Sequence, residues 1–460
     1  MTDFSLLGAP LALTGTLAAV LCAGLLRRDG RGASLSRLLA GAGMILALAR
    51  LLSSPAGGRS PLVRLDGFAF AWQGLFLLGG LAFLLVSRLS ERSVLLLLGS
   101  LMGMCLLASA DHFFLLFLGL ELMSLPIYLL VYSLRPDRRS LEASLKYFFA
   151  GSAAGGMFLF GMALYYAATG DMRLSAVVQW PFPGLAAAGI ALMMAGALFK
   201  IGAFPLHFWL PDAYEAAEPE LSGFMSTAVK AAGFLLLLRV LSAACAPGFP
   251  EASFWLPAVS AATMFFGNLL ALRQKNLQRL LAYSSIAHAG ALLAGVWAWK
   301  QADFFPENGA TLLLYLTAYL FMNTGAFLAV RISGASEVGD LAGLGARSPL
   351  AAGFFILMLL SLGGVPPTGG FLAKFFIVWD LLRAGGVWLS AAVVLNSLLA
   401  LGYYFRLVRS IALEPSAPGA KASGGFSFGT LLVMAACAGV TLFLGLFPWV
   451  RGWMASLLSV

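Results

Sequence analysis

ALFKIGAFPLHFWLPDAYE, residues 197–215, interrupts one of the most apolar parts of the chain. The stretch is apolar up to Lys200 and then passes through Gly202 and Pro205. A proline inside a helix removes a backbone hydrogen bond and kinks or ends the helix. An ammonium group beside such a break predicts a discontinuous membrane helix, whose freed backbone groups line a polar cavity.

The composition indicates a polytopic membrane protein. Of the 460 residues, 60% are hydrophobic and 11% are charged, and the mean hydropathy is +0.91. A soluble domain of this length does not need so much apolar surface. The net charge of +9 does not predict a nucleic-acid partner, because the basic residues lie in short loops between apolar segments, as in positive-inside topology.

Motifs for redox or metal chemistry are absent from the sequence. The four cysteines form no CxxC pair and lie in apolar stretches, so we expect buried free thiols: Cys22, Cys105, Cys245 and Cys437. No P-loop or HExxH motif occurs, and GLGARS at 343–348 lacks the third glycine of a dinucleotide fingerprint. Three histidines offer no evident pair of haem ligands. We therefore expect this chain to bind no cofactor and no metal.

About fourteen segments are long enough to cross roughly 30 Å of hydrocarbon. They lie at about 5–26, 35–53, 68–87, 92–109, 112–133, 143–168, 184–213, 220–244, 254–272, 277–298, 309–331, 349–385, 387–408 and 427–450. The polar stretches between them are no longer than loops. The sequence therefore predicts one all-α polytopic membrane domain over residues 1–460.

The loop charges predict the orientation of these spans. One set of alternate loops is rich in cations: Arg27, Arg28, Arg31, Arg37, Arg88, Arg92, Arg135, Arg138, Arg139, Arg273, Lys275, Arg279, Arg331, Arg347, Arg406, Arg409 and Lys421. The other set has only scattered cations: Arg59, Arg64, Arg173, Lys300 and Arg383. The positive-inside rule then places the first set in the cytoplasm and both termini on the periplasmic side.

Two spans carry a glycine–proline interruption. GAFP at 202–205 lies in the seventh span and GGVPPTGG at 363–370 in the twelfth. An offset of five spans means that the two broken helices cross the membrane in opposite directions. Paired broken helices in an inverted repeat indicate a transport site near mid-membrane. The alternative is a pair of ordinary proline kinks.

Four charged residues fall within the spans at a similar predicted depth: Glu121, Lys200, Lys230 and Lys374. Each charge at the membrane centre costs roughly 2.5–3.5 kcal/mol on the insertion scale. Structural ion pairing is the alternative, but three lysines against one carboxylate leave cations that simple pairing does not explain. A buried lysine near a carboxylate can bind and release a proton, so the four residues predict a chain of proton-exchanging sites.

Three more residues are secondary candidates. His207 follows the first break, and His288 lies near the middle of the tenth span; histidine exchanges protons near neutral pH. For His288 the alternative is a hydrogen-bonded core histidine. Lys146 follows Glu142 by four residues, so its alternative is an ion pair on the helix surface.

Several segments in a fixed order resemble the antiporter-like membrane subunits of respiratory complex I. They are GLELMSLPIYLLVY, SLEASLKYFFAGSAA, FKIGAFPLHFWLPDAYE, STAVKAAGF, GNLLALRQKNLQRLLAYSSIAHAG and SLGGVPPTGGFLAKFF followed by YYFRLV, within residues 90–410. GLE at 119–121 and STAVKAAGF make the chain most similar to the subunit N (subunit 2) family of NADH-quinone oxidoreductase, and the lysine at 374 is unlike the M-type subunit, which has a glutamate there. One departure is EAAEPELS after PDAY, where the family has a glycine-containing loop.

The resemblance implies fourteen helices with two inverted five-helix repeats, spans 4–8 and 9–13. On this chain the parts would be N-terminal helices 1–90, repeats 91–245 and 254–411, and a C-terminal helix in 427–460. Glu121, Lys200, Lys230 and Lys374 match the proton relay of the family, with Lys146 as a further contributor.

The resemblance also implies an activity, partners and a location. The chain would be a non-redox, proton-translocating subunit of an NADH:quinone oxidoreductase in the bacterial inner membrane. Its partners would be the other membrane subunits and the peripheral redox arm, which would hold NADH, FMN, iron–sulfur clusters and quinone. A multisubunit cation/proton antiporter, a membrane-bound hydrogenase and a purely scaffolding subunit remain alternatives.

Overall fold

The computed structural model describes residues 6–26, 32–54, 57–174, 182–244, 252–302, 306–415 and 426–459. Five residues named above lie outside the described residues: Arg27, Arg28, Arg31, Cys245 and Lys421.

The described part of the chain is mostly α-helical, as the sequence predicts. In chain order the helices are α1 (Gly8–Leu26), α2 (Gly32–Ser53), α3 (Gly67–Val86), α4 (Glu91–Ser109), α5 (Phe113–Ser133), α6 (Arg138–Thr169), α7 (Pro183–Ile201), α8 (Trp209–Ala216), α9 (Pro219–Phe224), α10 (Lys230–Ala244), α11 (Ala252–Leu272), α12 (Leu277–Gln301), α13 (Pro306–Ser333), α14 (Leu344–Arg347), α15 (Pro349–Gly363), α16 (Gly369–Arg383), α17 (Val387–Ala412), α18 (Phe428–Leu446) and α19 (Val450–Leu458). Two short strands, β1 (Gly58–Arg59) and β2 (Arg64–Leu65), pair antiparallel between α2 and α3.

Thirteen helical segments of the described chain are long and apolar enough to cross a membrane. The twelfth predicted span, 349–385, is divided into α15 and α16, as its glycine–proline interruption predicts. The eighth span contains a feature that the sequence did not indicate, a π-helical turn at Met225–Val229 between α9 and α10. The last predicted span ends earlier than expected, at Leu446, and a separate short helix, α19, follows it.

Polar residues at the loop ends fix where several helices begin. The Asp66 carboxylate accepts a hydrogen bond from the Ala69 amide, 2.7 Å away, and so caps α3. At the start of α6, Asp137 and Ser140 form a reciprocal capping box. Such caps satisfy amide groups that have no partner inside the helix.

Both predicted breaks are present. The first separates α7 from α8 and begins at Gly202, which has a φ of +74°. The second separates α15 from α16 and begins at Gly364, with a φ of +83°. A side chain disfavours this left-handed conformation, so glycine is the residue that allows each helix to end there.

The chain forms two compact units. The first contains Met1–Ile201, Ala228–Ala252 and Leu457–Val460, and the second contains Gly202–Thr227 and Ser253–Ser456. Within the first, α6 and α7 approach closely where Gly161 lies against Gly189: a Cβ on Gly161 would lie 2.5 Å from the Gly189 carbonyl oxygen. Helix packing at small residues is common in membranes, where backbones can then make contact directly.

The prediction that the cysteines are buried is wrong for Cys22. Cys105 and Cys437 are buried, whereas Cys22 is exposed on α1. The reason is that this face of α1 has no covering helix in the described chain. A span may expose apolar residues to lipid without the penalty that water would impose.

Candidate functional site

Lys200 lies in the last turn of α7, immediately before the first break, and its side chain is buried in the first unit. Its Nζ donates a hydrogen bond to Ser124 Oγ at 2.7 Å, and Tyr147 OH lies 3.4 Å away. The ammonium also lies over the ring of Tyr128, 5.2 Å from its centroid. Hydroxyl oxygens and an aromatic face thus replace part of the water that a charged lysine would otherwise need.

Glu121 lies on α5, three residues before Ser124, and is partly buried. Positions i and i+3 lie on the same side of a helix, so Glu121 and Ser124 project toward the same region. Gly155 on α6 leaves room for the carboxylate: a Cβ there would lie 2.5 Å from Glu121 Oε1. Because Ser124 holds the Lys200 amine, Glu121 and Lys200 lie beside the same region of α5.

Lys230 is the first residue of α10 and follows the π-helical turn directly. Its side chain is 2% exposed. One turn further on, a Cβ on Gly233 would lie 3.4 Å from Lys200 Cγ, so α10 passes beside Lys200. A π-turn widens the helix locally and is frequent at functional sites. Glu121, Lys200 and Lys230 therefore lie on helices of the first unit that pack around one region.

Lys374 lies on α16 in the second unit and reaches back across the second break. Its Nζ donates to the carbonyl oxygens of Leu362, at 2.9 Å, and Gly363, at 3.2 Å. These carbonyls belong to the last turn of α15, where backbone oxygens have no partner in the helix and the helix dipole is negative. The lysine therefore caps the helix whose interruption creates the break.

His288 lies on α12 and is surrounded by hydroxyl groups. Its Nδ1 is 2.7 Å from Tyr315 OH, and its Nε2 is 3.4 Å from Tyr404 OH. Tyr404 OH is also hydrogen-bonded to Ser284 Oγ, one turn before the histidine. The expected alternative, a hydrogen-bonded core histidine, describes these contacts as well as a proton-exchanging role does.

Lys374 and His288 line the same small pocket in the second unit. The pocket has a volume of about 20 Å³ and is also lined by Tyr315, Asn268 and Asn396. This volume can hold an ordered water, which needs two to four polar partners. Asn268 Nδ2 lies 3.0 Å from Asn396 Oδ1. The pocket thus combines an ammonium, an imidazole, hydroxyls and amides around space for a water.

Two secondary candidates are placed differently. His207 lies within the first break and packs against the ring of Phe204, with 5.6 Å between centroids. Lys146 is exposed on α6, where its Nζ lies 2.7 Å from Glu142 Oε1. The surface ion pair considered as its alternative is therefore present.

Two acidic residues of the opening stretch also have a partner that explains them. Asp212 Oδ1 and Glu215 Oε2 each accept a hydrogen bond from Arg279 Nη1 at 2.8 Å.

The hydroxyl partners of these sites were not predicted from the sequence. They are Ser124, Tyr147, Ser284, Tyr315 and Tyr404. Helical spacing offered a signal for two of them, because Ser124 follows Glu121 by three residues and Ser284 precedes His288 by four. The tyrosines come from other helices, so helical spacing gave no such signal for them.

Together the two clusters can hold and exchange protons inside apolar helices. Amines, an imidazole, a carboxylate and hydroxyls all donate or accept protons at short range. Within the described part of the chain, no group of three or more His, Cys, Asp or Glu side chains could hold a metal ion.

Comparison with known sequences identifies relatives over most of the chain. The family described as NADH:quinone oxidoreductase/Mrp antiporter, TM, matches residues 110–400. A protein of Trichlorobacter lovleyi named NADH-quinone oxidoreductase subunit N is 38% identical over 375 residues, which cover 77% of this chain and 76% of that protein. A Sorangium cellulosum protein named NADH-quinone oxidoreductase subunit N 1 is 42% identical over 390 residues, or 78% of this chain and 76% of that one.

Solved structures with the same fold include a chain of respiratory complex I from Thermus thermophilus. It is 33% identical, has a TM-score of 0.84, and the match covers 97% of this chain and 98% of that one. A chain of the Mrp complex from Dietzia sp. has a TM-score of 0.84 at 22% identity, with 100% of this chain and 97% of that one covered. At that identity the likeness concerns the fold alone.

Proposed function

Since the chain belongs to the NADH:quinone oxidoreductase/Mrp antiporter family and to its subunit N branch, we propose that it translocates protons as subunit N of a complex I-type NADH-quinone oxidoreductase. The observation that carries the proposal is the environment of Lys200. This buried amine is held by a hydroxyl at 2.7 Å and attracted by the Glu121 carboxylate, at the end of a broken membrane helix.

Each unit supplies its own proton-exchanging group. In the first, Glu121, Lys200 and Lys230 exchange protons, and Ser124 orients the Lys200 amine. In the second, Lys374 and His288 exchange protons through their shared pocket, with His207 at the first break as a further candidate. The ammonium of a lysine gives up a proton when a nearby group gains basicity, and the neutral amine accepts one when negative charge approaches.

The chemistry of NADH and quinone takes place on other subunits. NADH, FMN, iron–sulfur clusters and quinone belong there, and quinone reduction would change the electric field and hydration at one end of the lysine sites. The chain's part in the enzyme is therefore the transfer of protons, not of electrons.

The bacterial relatives support the location, and the loop charges support the orientation. We propose that the chain lies in the bacterial inner membrane with both termini on the periplasmic side, because the cation-rich loops alternate with cation-poor ones. Residues 91–245 and 254–411 would then be two repeats of opposite orientation. Each contains one helix interrupted at glycine and proline: α7 followed by α8, and α15 followed by α16.

The decisive experiment replaces Lys230 by alanine in the native complex. Inverted membrane vesicles are given NADH, and proton uptake is measured together with NADH oxidation. We expect assembled complex with a severe loss of proton uptake per NADH, because a buried proton-exchanging amine has been removed. Lys275→Ala is the matched control, since this lysine is exposed in the loop between α11 and α12. Normal proton uptake by assembled Lys230→Ala complex would instead support the scaffolding role.

The family also contains antiporter subunits, so the partner complex needs its own test. Purification of the native complex should yield co-migrating redox subunits, and transport should not depend on sodium. A complex without redox subunits, or one whose transport requires sodium, would assign the chain to a cation/proton antiporter.

A further inference from the structure

One helix of the second unit carries a polar side chain at every fourth position over most of its length. In α13 these residues, here called the polar ladder, are Glu307, Thr311, Tyr315, Tyr319 and Asn323. Residues four apart are neighbours on a helix surface. The ladder extends about 24 Å, since its ends are sixteen steps apart at 1.5 Å each.

The middle of the polar ladder belongs to the pocket of Lys374. Tyr315 lines that pocket, and its hydroxyl lies 2.7 Å from His288 Nδ1. Thr311 lies one turn from Tyr315, about 6 Å along the helix axis. The ladder thus leads from the pocket toward the start of α13.

At Thr311 the polar ladder meets a buried ion pair. Thr311 Oγ1 donates to Asp380 Oδ2 at 2.6 Å, and Arg451 Nη2 donates to Asp380 Oδ1 at 2.7 Å. The Asp380 side chain is only 3% exposed and that of Arg451 14%. The Arg451 guanidinium also lies 4.8 Å from the centre of the Phe376 ring. The arginine therefore offsets the cost of burying the carboxylate.

Next to the Asp380–Arg451 pair lie charged side chains that are exposed at the surface. Glu307, one turn before Thr311, is 55% exposed, and its carboxylate lies 4.0 Å from Arg383, which is 66% exposed. Thr311 Oγ1 also lies 3.4 Å from the Glu307 carbonyl oxygen. Exposure thus rises stepwise from Asp380 to Arg451 and then to Glu307 and Arg383, as expected for a route that ends in water.

We propose that Asp380 carries protons from the Lys374 pocket to the membrane surface, with the Thr311 hydroxyl as the link. The inference rests on the proposed function and names the exit of its second unit. A proton leaves the Lys374 ammonium, which becomes a neutral amine. Tyr315, a water bridging the two hydroxyls and Thr311 each pass on one proton as they receive another, and the Asp380 carboxylate becomes a carboxylic acid. Asp380 then releases the proton toward Glu307 and returns to the carboxylate, which Arg451 stabilises.

The test compares Asp380→Asn with Lys374→Ala in the assembled complex. Asparagine keeps the size and the hydrogen-bonding oxygen of aspartate but cannot carry a proton. We expect Asp380→Asn to reduce protons moved per NADH to the level of Lys374→Ala, with the double variant no lower than either. Asp380→Glu should restore transport, because it returns the carboxylate. Glu414→Gln is the control, since it removes a carboxylate that pairs with Arg409 away from the ladder.

Thr311→Val provides a second variant that leaves the ion pair in place, in case Asp380→Asn does not assemble. It removes one hydroxyl at nearly constant volume, and proton transfer per NADH should again fall. Normal transport in Thr311→Val, or in assembled Asp380→Asn, would overturn the exit route. If Lys374→Ala itself transported normally, the proposed function would fail instead, so the two failures are distinguishable.

Discussion

Asp66 and Arg239 form one ion pair, but replacing Asp66 should reduce stability far more than replacing Arg239. Arg239 lies on α10 and is 4% exposed, whereas the Asp66 side chain is 33% exposed. The guanidinium donates to Asp66 Oδ2 at 2.8 Å, to Asp66 Oδ1 at 3.0 Å and to the Ala108 carbonyl oxygen at 2.9 Å. The cation is therefore the member of the pair that cannot return to water.

The loss in the free energy of unfolding depends on which charged side chain remains without its partner. In Asp66→Asn the cap of α3 is preserved, because asparagine caps as well as aspartate. The Arg239 cation then stays buried without its carboxylate, which costs about 3–5 kcal/mol. In Arg239→Met the remaining carboxylate is one-third exposed and keeps Arg64 as a partner, whose Nε lies 3.2 Å away. That variant should lose about 0–1 kcal/mol from the ion pair and about 1 kcal/mol from the Ala108 carbonyl.

Buried Cys105 provides the assay, because it lies on α4 three residues before Ala108. The protein, in a background with Cys22, Cys245 and Cys437 replaced by alanine, is heated in detergent with a thiol-reactive fluorophore. Fluorescence should rise at the lowest temperature in Asp66→Asn, then in Arg239→Met, then in the parent. Glu414→Gln, in an exposed pair, should resemble the parent. An Arg239→Met variant as unstable as Asp66→Asn would refute the reasoning.

Two further predictions concern the Lys200 site and a loop in the first unit. Ser124→Ala should slow proton translocation roughly tenfold or more, because a hydrogen bond to the charged Lys200 contributes about 1.5–3 kcal/mol. Ser124→Thr should restore the rate, because it returns the hydroxyl. An unchanged rate of Ser124→Ala in vesicles would contradict the role of Ser124 in orienting Lys200. Asp171 has its pKa lowered to about 2, first by the hydrogen bond from Arg173. Because the folded pKa lies below the ordinary value of 3.8, the stabilisation is present at neutral pH and is lost only as pH falls toward 2. The Leu174 amide, three residues after Asp171, donates to the Asp111 carbonyl oxygen at 2.9 Å. Its hydrogen exchange should thus show the same protection at pH 5 as at pH 7, and a loss by pH 5 would count against the prediction.

Hydropathy and glycine–proline patterns were sufficient to predict the spans and both breaks. The signal is local, since an apolar run of a given length must be helical in lipid and proline must interrupt it. The π-helical turn at Met225–Val229 left no such signal. The strand pair β1–β2 was also missed, because each strand has only two residues.

Residues of the candidate site could be predicted where the type of side chain was itself unusual for its position in the membrane. Glu121 and Lys200 were recognised because charges are rare at mid-membrane, and the fold places them together. The carbonyl groups that hold Lys374 were not predicted, since backbone oxygens at a helix end have no side-chain signature. For Lys146, sequence spacing alone could not distinguish a role in proton transfer from an ion pair on the helix surface. In the structure Lys146 forms an ion pair with Glu142.

The four-residue spacing of the polar ladder makes it a spiral and not a straight column. Each step of four residues turns about 400°, so successive members advance by about 40° around α13. From Glu307 to Asn323 the row winds through about 160°, nearly half the circumference. Its two ends consequently face different neighbours: Thr311 meets Asp380 of α16, while Asn323 donates to Ser226 at 2.6 Å. Rotation of α13 about its axis would therefore improve the hydrogen bonds at one end only by breaking those at the other. The contacts at the two ends together fix a single rotational orientation of this helix.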